Sequence, residues 1–350
     1  MAESERDETQ QIINAFLEGE AQEALPPDHR SGYVAVVGKP NVGKSTLVNA
    51  LIGHKVAIVS PKPQTTRRRI LGILTRPEAQ ILFLDTPGIH EPKQALNRYM
   101  MREVQAALSD CDVILFVTDV SRLPTEEDQR VAERIRRLPQ PKLLAMNKAD
   151  LLDPRHVVEY VAAHEALLPA KSEESQAPGQ DRADEPAAHS TVEAIFHPRN
   201  AMLTSGVRGD NLEKLLGMLL DVLPYGPRYF PSGQVTDQHE YILVAELIRE
   251  QALCFLEQEV PHSVAVAIDD WQRRPNGVIY IAATVYVERE SQKGILIGKG
   301  GQMLKKIGTA ARQEIERELG SKVYLELWAK ARPGWRRDEA LVARLLEGRM

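Results

Sequence analysis

The chain is poor in cysteine, in aromatic residues and in long apolar runs, and each shortage removes a class of protein. Cys111 and Cys254 are the only cysteines among 350 residues, so a disulfide-built scaffold is excluded, and neither has metal-ligand spacing. Both stand in apolar surroundings and read as core fillers of a reducing compartment. No run reaches the roughly 18 apolar residues that a membrane-spanning helix needs. Met1 to Arg30 lacks a basic segment followed by an apolar core, so no signal peptide is expected and the expected location is the cytoplasm. A dominant charge is missing too, with a net of −5. That average hides a segregation. Met1 to Arg30 holds eight acids against two bases, whereas Arg289 to Arg337 holds twelve bases against five acids. Such an asymmetry steers a polyanion to one end of a molecule.

What remains is the composition of an ordinary globular protein, 43% hydrophobic and 27% charged, with 5% aromatics. Its length suits about two domains. Residues 1–31 read as an acidic tail with one short amphipathic piece, Ile12, Ile13, Phe16 and Leu17. Residues 32–223 alternate strand and helix patterns. Tyr33–Val37, Ile81–Leu84, Val113–Val117 and Lys142–Met146 are unalternated apolar runs, as in strands buried on both faces, and helical stretches such as Glu126–Leu138 and Asp210–Leu223 follow them. The expected fold is α/β, a doubly wound parallel sheet. Residues 169–191, rich in Ser, Glu, Gln, Ala, Pro and Asp, read as a disordered surface insertion. Residues 224–233, rich in Pro and Gly, read as a linker. Residues 234–337 follow an α-β-β-α-α-β pattern: a helix near 238–259, strands Ser263–Ile268 and Val278–Val287, a glycine cluster, a helix near 302–319 and a strand Lys322–Lys330. Residues 338–350 read as a C-terminal tail.

Gly38-Lys39-Pro40-Asn41-Val42-Gly43-Lys44-Ser45 fits the phosphate-loop pattern G-x-x-x-x-G-K-[ST]. A β-branched run precedes it, and a helical stretch continues through Thr46. Strand, glycine loop and helix N-terminus gather backbone N–H groups around an anion, and the helix dipole favours negative charge. Lys44 is expected on the β- and γ-phosphates and the Ser45 hydroxyl on Mg²⁺. Asp85-Thr86-Pro87-Gly88 ends the next apolar run. Asp85 is placed to hold Mg²⁺, and Gly88, lacking a side chain, brings its N–H close to the γ-phosphate. Asn147-Lys148-Ala149-Asp150 ends a later run. The Asp150 carboxylate can accept from both N1–H and N2–H₂ of guanine, a donor pair adenine lacks, so GTP rather than ATP is the expected nucleotide.

In this order the three motifs resemble a translation-factor-type GTPase. Pro61-Lys62-Pro63-Gln64-Thr65-Thr66-Arg67-Arg68-Arg69-Ile70 resembles the first switch of the Era family. The resemblance implies that Thr66 binds Mg²⁺ and γ-phosphate, with Thr65 as the fallback. Thr204-Ser205-Gly206 sits where the family has Ser-Ala, whose backbone contacts the guanine oxygen, so Ser205 and Gly206 join the nucleotide site, with Gly206 departing from alanine. Ile89 occupies the place of the glutamine that orients water in Ras-like enzymes. The chain thus resembles the hydrophobic-substituted GTPases, and slow intrinsic turnover is implied. Related GTPases with an asparagine at the Asn41 position suggest that its side-chain carbonyl helps hold K⁺ beside the phosphates; a plain loop-shaping role for Asn41 is the equal alternative. The expected catalytic set is Lys44, Thr66, Gly88 and Asn41.

The second region carries Gly298-Lys299-Gly300-Gly301, a G-x-x-G turn after Ile295-Leu296-Ile297 and before a helix bearing Lys305 and Lys306. Such a turn, within α-β-β-α-α-β, clamps the backbone of single-stranded nucleotides in KH modules, and the pattern is that of a type II KH domain. Leu325 to Trp335 resembles the strand and tail that end Era proteins, with Trp335 read as packing. The resemblance spans roughly residues 31–340 apart from the insertion. It implies binding to the 3′ end of small-subunit ribosomal RNA and a role in 30S subunit maturation. No obligate dimer element is visible, so a monomer is expected. Two other readings compete. A regulatory GTPase at the inner face of the cell membrane would set the basic segment on anionic lipid, but has no need of G-x-x-G. A metabolic P-loop ATPase conflicts with Asp150.

Overall fold

The computed structural model describes residues 25–89, 94–168 and 200–348. The expected insertion at 169–191 and most of the expected acidic tail lie outside those residues. The first half is built on a six-stranded sheet. Its strands are β1 (Arg30–Val37), β2 (Ile70–Thr75), β3 (Ala79–Asp85), β4 (Val113–Asp119), β5 (Lys142–Asn147) and β6 (Ala201–Leu203), in the order β2-β3-β1-β4-β5-β6. All neighbours run parallel except β2, which is antiparallel to β3. Helices α1 (Lys44–Ile52), α2 (Ala95–Asp110), α3 (Glu126–Arg136), α4 (Val157–Glu165) and α5 (Leu212–Val222) cover both faces.

The unalternated runs follow from this sandwich. Val34 and Val36 of β1, with Val113, Leu115 and Val117 of β4, meet Leu47 and Val48 of α1 and Leu215 and Leu219 of α5. The intervening Ala35, Val37, Ile114 and Phe116 meet Val104 and Leu108 of α2 and Val131 and Ile135 of α3. Each residue of such a strand is inside, so period-two alternation disappears.

Three boundaries differ from expectation. The tail expected to reach residue 31 stops before Arg30, where β1 begins; Arg30 pairs with Ala79, and its guanidinium donates to the Leu223 carbonyl at 2.6 Å. Edge strand β2 falls in a stretch given no secondary structure in advance, directly after a run of arginines. The expected tail at 338–350 contains helix α9 (Glu339–Leu346), capped by Asp338, whose carboxylate accepts from Leu341 N at 3.0 Å. Val342, Leu345 and Leu346 form a buried apolar stripe on α9, packed with Leu96 and Met100 of α2. That stripe spans little more than one turn, too short for its period to stand out.

The segment 224–233 is strapped along the sheet. Buried Gln80 accepts from Tyr229 N at 2.7 Å and Phe230 N at 3.0 Å and donates to Phe230 O at 2.8 Å.

The second half has the expected order. Helix α6 (Glu240–Phe255) is followed by a helical turn at Val260–Ser263, then β7 (Ala265–Arg273) and β8 (Ile279–Val287). Helices α7 (Glu290–Ile297) and α8 (Gln302–Leu319) and strand β9 (Val323–Ala331) complete it. The sheet order is β7-β8-β9, with β7 antiparallel and β9 parallel to β8. Its core joins Val244, Leu247 and Ile248 of α6 to Ile307, Ala311 and Ile315 of α8. Of the two cysteines Cys111 is buried, but Cys254 is exposed and is no core filler: α6 turns that position away from its apolar face.

Candidate nucleotide site and nucleic-acid interface

The phosphate loop leaves β1 between the ends of β3 and β4 and enters α1. The Lys44 ammonium donates to Gly38 O at 3.2 Å and Lys39 O at 3.1 Å. Burial pushes its pKa down to about 8, against the opposing pull of Asp85. The Lys39 side chain turns away from the loop. Its ammonium lies 2.6 Å from the buried Asp128 carboxylate and donates to Thr125 Oγ1 at 3.0 Å. Lys39 therefore offers the nucleotide its backbone, while its side chain ties the loop to the first turn of α3. Asp128 was not anticipated; it doubles as the capping-box acid of α3.

At Gly88 an added Cβ would lie 2.6 Å from Pro40 N, so only glycine lets this turn close on the phosphate loop. Ile89 N donates to Gly38 O at 3.1 Å, and the Ile89 side chain packs on the sheet core. Thr86 Oγ1 donates to Val36 O at 2.7 Å, which makes it a strap between strands.

Three oxygens from three elements meet beside Lys44. Ser45 Oγ donates to Asp85 Oδ2 at 2.6 Å and lies 2.8 Å from Thr66 Oγ1, which is 3.4 Å from the same carboxylate oxygen. Asp85 is fully buried, and its Oδ1 has no partner among the described residues. Burial pushes this carboxyl up to about 6, with Ser45, Lys44 and Thr66 opposing. Two hydroxyls and a carboxylate with spare acceptor capacity suit a hard divalent cation that keeps several waters. Thr65 Oγ1 instead donates to Lys62 O at 2.7 Å, away from this group.

The base end is equally connected. Ser205 Oγ donates to Asp150 Oδ1 at 2.6 Å, and Gly206 N donates to Asn147 Oδ1 at 3.0 Å. Asn147 Nδ2 donates to Val42 O at 2.9 Å, so one asparagine joins the base loop to the phosphate loop. A Cβ on Gly206 would sit 3.0 Å from Leu47 N, so glycine allows this loop to close on α1. The Lys148 ammonium pairs with Asp119 at 2.7 Å. Burial raises the Asp119 pKa, but the hydrogen bonds from Lys148 and Ser121 outweigh it and hold the carboxyl below its usual value. Asp119 was missed by sequence reasoning, though it ends β4 directly opposite Asn147 in register.

Asn41 Nδ2 donates to Pro61 O at 3.1 Å, so it touches the 58–67 segment. That segment also reaches the second half of the chain. Ile58 packs in the core formed by α6 and α8. Val59 N donates to Glu250 Oε1 at 2.8 Å, Arg249 Nη2 donates to Thr65 O, and Arg67 donates to Val264 O at 2.5 Å and His262 O at 3.1 Å. Arg67, Arg249 and Glu250 were all missed, because their partners lie 184 to 197 residues away in sequence.

The G-x-x-G turn joins α7 to α8 through a 3₁₀ turn, Lys299–Gly301, with Gly298, Gly300 and Gly301 at φ of 71°, 60° and 79°. Lys299, Gly300 and Lys305 are exposed, and Ile295 stands half exposed beside them. Exposed Lys306 places its ammonium 4.2 Å from the Phe255 ring centroid, on the α6 side of α8. Trp335 is wholly buried, and its Nε1 donates to Ser263 O at 2.9 Å, so it is a packing residue.

Comparison with known proteins matches residues 33–148 to the family described as 50S ribosome-binding GTPase and residues 259–336 to the KH domain. The chain is 38% identical over 317 residues to GTPase Era of Ruminiclostridium cellulolyticum, covering 91% of this chain and 97% of that one. Its structure is similar to the crystal structure of Era in complex with MgGDPNP and nucleotides 1506–1542 of 16S ribosomal RNA, with a TM-score of 0.79, 38% identity, and 92% of this chain and 100% of that one covered. The same TM-score, identity and coverage relate it to a tyrosine-to-alanine variant of Aquifex aeolicus Era bound to GDP·AlF₄⁻.

Proposed function

The chain belongs to the Era family of GTPases, and from that premise we propose that it hydrolyses GTP as a switch on its grip of the 3′ end of small-subunit ribosomal RNA, acting as a cytoplasmic monomer in 30S subunit maturation. The observation that carries this reading is the pairing, in one chain, of the Ser45–Thr66–Asp85 oxygen cluster at the phosphate loop with a glycine turn flanked by exposed lysines.

Ser45, Thr66 and Asp85 would hold Mg²⁺. When bound, that ion neutralises charge on the β- and γ-phosphate oxygens. The backbone N–H groups of the loop from Gly38 to Thr46, all but Pro40, which has none, would face the phosphates, and Lys44 supplies a fixed cation. Gly88 N–H meets the γ-phosphate, so loss of that group frees Thr66 and Gly88 together. Asp150 and Ser205 read the guanine edge, with Lys148 over the ring and Gly206 N–H near its oxygen. Ile89 is packed inward and has no group to orient water, so turnover without further help is slow. Asn41, at the junction of loop and switch, is the residue proposed to place K⁺; equal rates in K⁺ and Na⁺ buffers would remove that part. Lys299, Lys305 and Lys306 supply cations to RNA phosphates while the glycines let the strand approach. Among the described residues no helix is long and apolar enough to cross a membrane.

The test is crosslinking to cellular RNA with the protein loaded with GTP or with GDP. The reading expects small-subunit ribosomal RNA 3′ ends to be enriched, to an extent that differs between the two nucleotides. Recovery of no ribosomal RNA in either state would overturn it.

A further inference from the structure

The loop that carries Thr66 is held from the far domain on both sides of that residue. On one side Glu250 of α6 accepts from Val59 N at 2.8 Å and from the Lys55 ammonium at 2.6 Å. On the same side and closer to it, Arg249, the preceding residue of the same helix, donates to the carbonyl of Thr65, next to Thr66, so the hold on the other side is that of Arg67. Arg67, the residue after Thr66, is fixed by the carbonyls of Val264 and His262. We infer that Arg249 and Glu250 of the RNA-binding domain are positioning residues for GTP hydrolysis, pinning the backbone that presents the Thr66 hydroxyl to Ser45 and Asp85.

The chemistry of the joint supports a positioning role beyond mere packing. Arg249 and Arg67 are 1% and 2% exposed, and Glu246 is the carboxylate paired with Arg249, at 2.5 Å. Two guanidiniums are thus crowded around one carboxylate. Burial, then the charge of Arg249, holds the Arg67 guanidinium well below its usual pKa. A charge buried this way is costly unless its donors find acceptors. Here the acceptors are the Glu246 carboxylate and three main-chain carbonyls, one beside Thr66 and two leading into β7, while Arg67 Nε and Arg249 Nη1 have no partner among the described residues. Backbone carbonyls have fixed positions, so the fork of Arg249 locates Thr65 O relative to α6 more sharply than apolar contact would. A positioning error of about 1 Å costs about a hundredfold in rate when it falls on the reacting centre. Thr66 matters most once charge develops on the phosphates, so the loss belongs in kcat rather than in substrate binding.

The inference rests on Thr66 serving the GTP site, and the experiment separates the two. Full-length Arg249→Gln and Glu250→Ala are compared with wild type for kcat and KM of GTP hydrolysis and for GDP affinity. Amide hydrogen exchange across residues 58–67 is followed without nucleotide, together with affinity for single-stranded RNA. The expected result is faster exchange over 58–67 and a kcat lowered about tenfold or more, with KM and GDP affinity within about twofold and RNA affinity unchanged. Arg249→Lys, which keeps a donor, should recover part of the loss. Unchanged exchange, or faster exchange with an unchanged kcat, would overturn the inference. Should Arg249→Gln not fold, Glu250→Ala alone decides in the same terms. Wild-type protein without GTP turnover would instead remove the reading of the site.

Discussion

The Ser205 hydroxyl donates to the Asp150 carboxylate at 2.6 Å, which fixes one of its oxygens from the neighbouring loop. On the proposed reading, an acid held this way would meet the two adjacent donors of guanine with little reorganisation. Asp150→Asn should weaken GTP binding by about a hundredfold or more and favour xanthosine triphosphate, whose ring offers an acceptor where guanine has its amino group. Ser205→Ala should cost about tenfold without changing the preferred base. Isothermal titration with GTP and with xanthosine triphosphate checks both.

Thr65 and Thr66 are neighbours with opposite duties. Thr66→Ala should raise the Mg²⁺ concentration needed for hydrolysis and cut turnover by about a hundredfold. Thr65→Ala, which loses local bonds to Lys62 O and Ser60 O, should stay within about threefold of wild type. Steady-state rates across a Mg²⁺ titration distinguish the two.

Asp85 sets a pH dependence. Its folded pKa of about 6 lies above the ordinary value of 3.8. Without Mg²⁺–GTP the fold therefore holds a proton that the unfolded chain releases between those values. Stability from this group is full below 3.8 and is lost as pH rises through about 6. Mg²⁺–GTP needs the carboxylate ionised and displaces that proton. The rise in Tm on adding Mg²⁺–GTP should consequently grow from pH 5 to pH 7, and Asp85→Asn should remove that growth.

Gly298 and Gly301 both have left-handed φ, at 71° and 79°. The double substitution Gly298→Asp/Gly301→Asp adds two strained positions and two negative charges where phosphate would lie. Affinity for single-stranded RNA should fall about tenfold or more, with GTP turnover intact. Lys299→Ala should weaken all sequences alike and reduce the salt slope by about 0.7. Filter binding at several salt concentrations measures both effects.

The two thiols should differ in reactivity. Burial pushes the Cys111 thiol up to about 11; partial burial and Glu250 also raise the Cys254 thiol, but Cys254 is exposed to reagent and Cys111 is not. At pH 8 iodoacetamide should label Cys254 first, and Cys111 only on unfolding, as peptide mass spectrometry would show.

The parts of this molecule that could be read in advance share one property: they are local. Val34 to Val37 announce a strand because every side chain is enclosed, and Gly38 to Ser45, Asp85 to Gly88 and Asn147 to Asp150 are contiguous because each is a single strand-end loop. Cys254 was misjudged because neighbours in sequence say little about which side of α6 faces water. The Asp119–Lys148 pair needed the register of β4 on β5, and Arg249 needed Thr65, 184 positions away. Contacts of that kind depend on how finished domains lie against each other, and no periodicity encodes them. Helix α9 escaped for a different reason, its short stripe being indistinguishable from chance until a surface is there to receive it.

That helix has a consequence for biosynthesis. Leu96 and Met100, together with Tyr286 and Trp335, are shielded by Val342, Leu345 and Leu346, which leave the translating ribosome after every other described element of either half. Until α9 has emerged, a sticky patch stays open across the seam between the two halves. Its late arrival thus supplies the final clasp, and a chain cut after Arg337 should emerge with both halves made, their junction unsealed and a tendency to clump.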